Sequence, residues 1–343
     1  MKSIKFLLSR AWAKNFFNEK AGQYFLAKKL IDCEIKLLKV YFNYRRVVVK
    51  YRLKLLDKEK NIFEKEVAAK AEQGPSREIL NDFLTTKFLW QRGLNDLVAR
   101  PLEYLSSFNL YLYEFIPGYF LQALSNQRQD QKFLAQIPRL VKALKRFHQI
   151  EVTKKDNFVN QDRKSEARAC RRELRLVKRF WPAGFDKISF WQRRCQFLRN
   201  KYEKYFLPEF HQLTHGDFYS RNILINNRQI KLLDFSNSSA YEPMNDLGNF
   251  LINTELMFEY DFPKSYPLLM KKLKTLLFQN YFSRPMTAGQ EFKINYFVFR
   301  NLIRIIALVA RSEASEKLPQ RPGPTMEKLI RFGEAKYLIL KGI

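Results

Sequence analysis

The chain has 343 residues, 46% of them hydrophobic and 15% aromatic, which excludes a disordered protein and leaves room for a full core in two lobes. A formal net charge of +28 disfavours cationic ligands and leaves either anionic partners or a solvated basic surface. No uncharged apolar run approaches the ~20 residues of a membrane-spanning helix; the closest, Phe297 to Ala310, is interrupted by Arg300 and Arg304.

The start sets Ile4, Leu7, Leu8, Ala11 and Trp12 among Lys2, Lys5, Arg10 and Lys14. Such an amphipathic segment packs on the first lobe or docks on a membrane surface. Its apolar run ends after three residues, too soon for a secretory signal. Cys33, Cys170 and Cys195 are odd in number, scattered and without metal-ligand spacing, which suits reduced core thiols in a cytoplasmic protein.

From Glu34 to Leu56 the residues alternate as two strands around a turn near Asn43-Tyr44, and a third strand fits Ile62 to Ala71. A helix follows from a Ser76 N-cap, with Ile79, Leu80, Phe83 and Leu84 apolar and Gly93 at or beyond its end. Another strand fits Leu110 to Phe115. Beyond it the pattern is helical except for one hairpin, and residues 319 to 324 (Pro-Gln-Arg-Pro-Gly-Pro) form an exposed turn between the last two helices. The expected class is α+β, with a strand-rich lobe over residues 1–116 and a mainly helical lobe over 117–343.

That hairpin carries the chemistry. His215-Gly216-Asp217-Phe218-Tyr219-Ser220-Arg221-Asn222 leads into Ile223-Leu224-Ile225, a polar turn from Asn226 to Gln229, then Ile230-Lys231-Leu232-Leu233 and Asp234. A hairpin returns its second strand to the start of its first, so Asn222 and Asp234 are expected at one end, with Asp217 on the loop feeding them. Three oxygen donors of this kind suit a hard divalent cation and a hydroxyl to be activated, the needs of phosphoryl transfer. Each residue alone also suits a turn or cap; the combination favours the site.

An Asp-x4-Asn pair, a hydrophobic hairpin and Asp-Phe resemble the catalytic half of a protein kinase-like fold, and the His-Gly-Asp form resembles the aminoglycoside phosphotransferase and choline kinase family. Three further stretches are similar to that family over roughly residues 60 to 255: Leu112 to Gly118 as the hinge, Leu144 to His148 as a helix end, and Glu242 to Leu247 after the metal-binding aspartate. The resemblance implies Mg²⁺-dependent transfer of the ATP γ-phosphoryl group to a small-molecule hydroxyl. Asp217 would then orient the acceptor, Asn222 and Asp234 would hold metal, and the backbone at Glu114 and Ile116 would meet adenine. It also implies that Asp246 holds the catalytic loop, with His148 and His215 structural.

Val67-Ala68-Ala69-Lys70 is similar to the kinase Val-Ala-Ile-Lys, which makes Lys70 the phosphate lysine among nearby Lys50, Lys54 and Lys65. Glu78 is taken as its carboxylate partner, with Asp82, four residues on and on the same helix face, as the alternative. The chain departs from the pattern in lacking a Gly-x-Gly-x-x-Gly loop: no glycine lies between Gly22 and Gly74. The turn from Asn43 to Arg46, with Arg45 or Arg46, would have to cover the phosphates.

Residues 214–254 balance three basic against four acidic residues (3 − 4 = −1), whereas residues 161–200 hold 12 basic and 4 acidic (12 − 4 = +8). The latter read as an amphipathic helix with Ala167, Cys170, Leu174, Val177 and Trp181 inward and Arg168, Arg171, Arg172, Arg175, Lys178 and Arg179 outward. The family resemblance puts this segment on the acceptor side, and the charge argues against a polycationic acceptor such as an aminoglycoside. A sugar, amino-alcohol or lipid-linked hydroxyl fits better, with peripheral membrane contact as a further expectation. The competing reading is a catalytically silent kinase-like module that binds nucleic acid or membrane through its basic surface.

Overall fold

A computed structural model of the chain describes residues 4–41, 45–74, 77–153, 156, 158, 163–206, 212–227, 229–314 and 325–341. The fold is mixed α+β in two compact units, Met1–Tyr119 with Leu224–Ser238, and Phe120–Ile223 with Ser239–Ile343. In chain order come α1 (Arg10–Phe25), β1 (Lys29–Tyr41), β2 (Arg46–Leu56), β3 (Ile62–Glu72), α2 (Glu78–Gln91), β4 (Pro101–Leu105), β5 (Leu110–Glu114) and β6 (Tyr119–Phe120). Next are α3 (Leu121–Asn126), α4 (Asp130–His148), α5 (Arg163–Phe180), α6 (Phe185–Lys201) and β7 (Gln212–Thr214). The hairpin β8 (Ile223–Asn226) and β9 (Gln229–Leu232) precedes β10 (Ser239–Tyr241), α7 (Met244–Asp261), α8 (Tyr266–Tyr281), α9 (Ala288–Ala314) and α10 (Met326–Lys341).

The first unit is built on a five-stranded antiparallel sheet ordered β1-β2-β3-β5-β4. Strand β2 shows why it forms. Val47, Val49, Tyr51, Leu53 and Leu55 alternate inward and are all buried. That apolar face is covered by the N-terminal segment: Ile4, Leu7, Ala13 and Phe17 join its core, and the Tyr51 hydroxyl donates to Leu7 O at 2.8 Å. Of the two readings of the chain start, the structure has the one in which it packs on the first lobe. Ser9 accepts from Trp12 N and splits the segment into a short 3-10 turn and α1, and the inward residues of both are spent on the sheet. Leaving them outside would expose one whole sheet face to water.

Lys70 pairs in register with Val48 and Tyr111, out of step with the α1-facing residues, so it faces α2 instead. The hairpin β8–β9 belongs to this unit and not to residues 117–343 as expected. Leu232 N donates to Leu97 O at 2.8 Å, and Lys231 Nζ donates to Asn95 O at 2.9 Å. Gly118 sits at φ +147° with Ile225 O where a Cβ would be, 2.4 Å away, so the chain passes the hairpin as glycine or not at all. Strand β4 was not anticipated: its five half-buried residues give no clean alternation. The expected turn at Asn43-Tyr44, the Ser76 cap, the hairpin residue Arg228 and the 319–324 turn lie outside the described residues.

In the second unit, α4 buries Leu140, Val141, Leu144 and Phe147, and α7 and α9 form its centre. Helix α5 packs on α9 through Cys170 and Val177, and its arginines point outward as expected. Not expected was Glu173 on the buried face, held at 2.7 and 3.0 Å by both terminal nitrogens of Arg300. Two charges on facing apolar helices are tolerated because they pair bidentately. All three cysteines are buried and free. Among the described residues no helix is long and apolar enough to cross a membrane.

Candidate active site

In the first unit three elements converge on one ammonium. Lys70 Nζ on β3 lies 2.7 Å from Asp82 Oδ2 on α2 and 2.7 Å from Asp234 Oδ1, two residues past β9. The other Asp82 oxygen accepts from Phe235 N at 2.9 Å, and Ser236 Oγ donates to Asp234 Oδ1 at 2.8 Å. Asn81 Nδ2 adds a bond of 2.8 Å to Ser236 O. Helix α2 thus binds the segment after the hairpin by both main chain and lysine. Asp234 itself is at φ +65°, a conformation that Asp accepts more readily than most side chains.

Burial works against the charged form of all these groups, but the two carboxylates beside Lys70 outweigh it and hold its ammonium charged well above the usual lysine range. Burial likewise opposes the Asp234 carboxylate, and Lys70 overcomes it, holding the carboxyl below its ordinary value. The partner expected for Lys70 was Glu78, with Asp82 as the alternative. The structure corrects this: Asp82 takes the lysine. Glu78 is on the same helix face but one turn closer to the N-terminus and half exposed, where its carboxylate meets the Arg46 guanidinium. Arg46 also bonds Glu72 at 2.9 Å.

Glu114 and Ile116 border a cavity of about 410 Å³ with Glu66, Trp90, Arg100 and Lys231. The Glu114 carboxylate is 3.9 Å from Lys65 and 3.8 Å from Arg100. Glu114 N–H donates to Arg100 O and Phe115 N–H to Glu66 O, both at 2.9 Å. The side chain is engaged with cations, so any part of this stretch in nucleotide binding falls to the main chain.

In the second unit Asp217 and Asn222 share one loop. Asn222 Nδ2 donates to Asp217 O at 2.9 Å, closing the turn locally. Asp246, at the start of α7, fixes the loop's entry: Oδ2 accepts from His215 N at 2.7 Å and Oδ1 from Gly216 N at 2.9 Å. His148 Nε2, at the end of α4, is 3.0 Å from the same Oδ2, and its Nδ1 is 2.7 Å from the Tyr281 hydroxyl. His215 is fully buried against Phe147 and Phe218. Both histidines thus serve the loop's shape.

One contact has no counterpart in the sequence reading. Arg304 on α9 donates from Nη2 to Asp217 Oδ1 at 2.6 Å and from Nη1 to Gly216 O at 3.2 Å. Its pair with Asp217 holds the guanidinium charged. A signal was present: Arg300 and Arg304 stand four apart within the mostly apolar run from Phe297 to Ala310, and charges placed so are almost never buried unpaired.

In the second unit Asn222 spends its amide N–H on Asp217 O, which leaves the amide oxygen able to ligate a hard cation. In the first unit Asp234 offers a carboxylate oxygen of the same character. Among the described residues no three His, Cys, Asp or Glu side chains gather as a metal cage.

The model of the phosphotransferase enzyme family matches residues 43–265, more than half of the sequence. The chain belongs to that family. Phosphotransferase relatives of known structure share the protein kinase-like fold. Choline kinase from Cryptosporidium parvum Iowa II has a TM-score of 0.63 at 12% identity, covering 97% of this chain and 96% of that one. Choline kinase LicA from Streptococcus pneumoniae gives 0.60 at 13%, covering 97% and 100%. The GDP complex of an aminoglycoside 2'-phosphotransferase-IIIa mutant gives 0.53 at 12%, covering 96% and 99%. At these identities the likeness is one of fold. No curated protein sequence matches the chain.

Proposed function

We propose that the protein is an ATP-dependent kinase that moves the γ-phosphoryl group to a hydroxyl of a small molecule. In this reading Asp217 orients the acceptor hydroxyl and takes its proton late, and Lys70 steadies the departing diphosphate. Asn222 and Asp234 would hold Mg²⁺, which when bound supplies charge neutralisation across the phosphates. Residues 1–116 form the nucleotide lobe and residues 117–343 the catalytic and acceptor lobe, except for the hairpin. The observation that supports the reading most is the 2.7 Å grip of Lys70 on both Asp82 and Asp234. A helix carboxylate that aims a buried lysine at a metal-binding aspartate is what phosphate positioning requires.

The amicoumacin kinase hAmiN was solved with AMP-PNP and LicA with AMP, while aminoglycoside phosphotransferases were solved with GDP. ATP is the nucleotide proposed, and competition between ATP and GTP tests that choice. For the acceptor, the +28 charge favours a sugar, amino-alcohol or lipid-linked hydroxyl over a polycation. Three buried free thiols agree with a cytoplasmic place of work.

The test is a screen of hydroxyl acceptors with ATP and Mg²⁺, wild type beside Asp217→Asn. The variant should bind nucleotide equally well by thermal shift yet lose ~10³-fold in turnover. Undiminished phosphoryl transfer by Asp217→Asn would overturn the assignment.

A further inference from the structure

We propose that the α5–α6 pair is a docking surface for an anionic lipid bilayer. The surface is distinct from the phosphotransfer site, and the proposal holds or fails without any turnover.

The 18 residues of α5 span ~27 Å, about the length of several lipid headgroups side by side. Its outer face carries Arg168, Arg171, Arg172, Arg175, Lys178 and Arg179, all exposed. Among the described residues none of the six pairs with a carboxylate: Arg168 bonds the Ser165 hydroxyl, Lys178 lies over the Phe185 ring, and Arg179 lies over Phe180. Elsewhere the same protein does pair its cations, as in Arg10–Asp32, Lys20–Glu103 and Lys336–Glu255. Both acidic residues of α5 are engaged away from that face, Glu173 with Arg300 and Glu166 with the Tyr241 and Tyr296 hydroxyls. A face so free of counter-charge is complementary to a dense anionic surface.

Helix α6 adds the apolar half. Phe190 and Phe197 are 46% and 51% exposed, two turns apart on one face. Phe190 keeps an edge contact with Tyr337, and Phe197 lies under the Arg194 guanidinium at 4.7 Å. With Arg194 and Lys201 they form a stripe of alternating ring and cation that stays within roughly 60° of arc at ~100° per residue. Headgroup phosphates accept such cations while the rings enter the acyl boundary beneath them. The inner side of α5 reaches α9, whose Arg304 holds Asp217, so docking here would bring an acceptor at the membrane surface to the same unit that carries the catalytic loop.

The experiment is co-sedimentation of the full chain with phosphatidylcholine vesicles and with vesicles in which a third of the lipid is phosphatidylglycerol. Two variants at exposed positions accompany it, Arg171→Glu/Arg175→Glu/Lys178→Glu and Phe190→Ser/Phe197→Ser, each checked for an unchanged thermal transition. Wild type should bind only the anionic vesicles. The charge variant should bind them about a hundredfold more weakly, and binding should weaken with salt. The phenylalanine variant should bind about tenfold more weakly. Equal binding to both vesicles, or full binding by either variant, would overturn the proposal. So would tighter binding to a single-stranded RNA oligonucleotide than to anionic vesicles, which assigns the surface to nucleic acid.

Discussion

Arg304 and Asp217 form an ion pair of 2.6 Å, and the second nitrogen of the same guanidinium bonds the carbonyl one residue earlier, Gly216 O. An arginine with two bonds to one loop fixes both the position of the main chain and the rotation of the carboxylate. Misplacing a base by even 1 Å costs about 10²-fold in rate. Arg304→Met should therefore lower kcat about 10²-fold and leave the KM for nucleotide nearly unchanged, with Arg304→Lys recovering part of the loss. A rise in kcat would mean instead that the arginine restrains the base.

Lys70 neutralises two carboxylates at once, Asp82 buried and Asp234 partly exposed. Its replacement by Met leaves the buried Asp82 without its cation and facing the charge of Asp234. Breaking a buried pair in this way costs ~3–5 kcal/mol. Urea denaturation should report that loss in Lys70→Met, while Lys70→Met/Asp82→Asn recovers much of it. Phosphoryl transfer should remain abolished in both, which separates the lysine's stabilising role from its chemical one.

Gly118 is the one position of the hinge where a single methyl group cannot be accommodated. Its φ is +147°, and the added Cβ would sit 2.4 Å from Ile225 O, a main-chain atom that no rotamer change removes. Gly118→Ala should lose at least ~1–3 kcal/mol of stability from strain alone. Far-UV circular dichroism through a thermal scan measures it; an unchanged transition would show that the hinge and hairpin part readily.

Burial pushes the Cys33 thiol up to about 11 and raises those of Cys170 and Cys195 as well. A raised thiol pKa keeps the protonated, unreactive form far into alkaline pH. At pH 8 the native protein should react with a thiol reagent at none of its three cysteines, and the denatured protein at all three. Reactivity of Cys33 should grow only as pH climbs toward 11. A cysteine titrating in the native state at pH 8 would mean that its cover opens.

The loop and hairpin of residues 215 to 234 were legible from the order of residues alone, because such elements set their own geometry over a few residues. The strands β2, β3 and β5 and the helix α2 were legible for a similar reason: alternation and the 3.6-residue period state which face is apolar. Those same periods could not say what covers the face. They left the N-terminal segment between membrane and sheet, and only packing assigned it to the sheet.

Charge partnership was decided by tertiary structure. Lys70 finds Asp234 across 164 residues and Asp217 finds Arg304 across 87. Glu173 finds Arg300 across 127. At such separations spacing carries no distance information, since the chain between can close by many routes at similar entropy. Even the choice between Glu78 and Asp82, one helical turn apart, was settled by depth: the turn nearer the core brings Asp82 to the buried lysine and leaves Glu78 at the rim with Arg46. Local order singled out the candidate groups, and burial, which belongs to the folded whole, chose their partners.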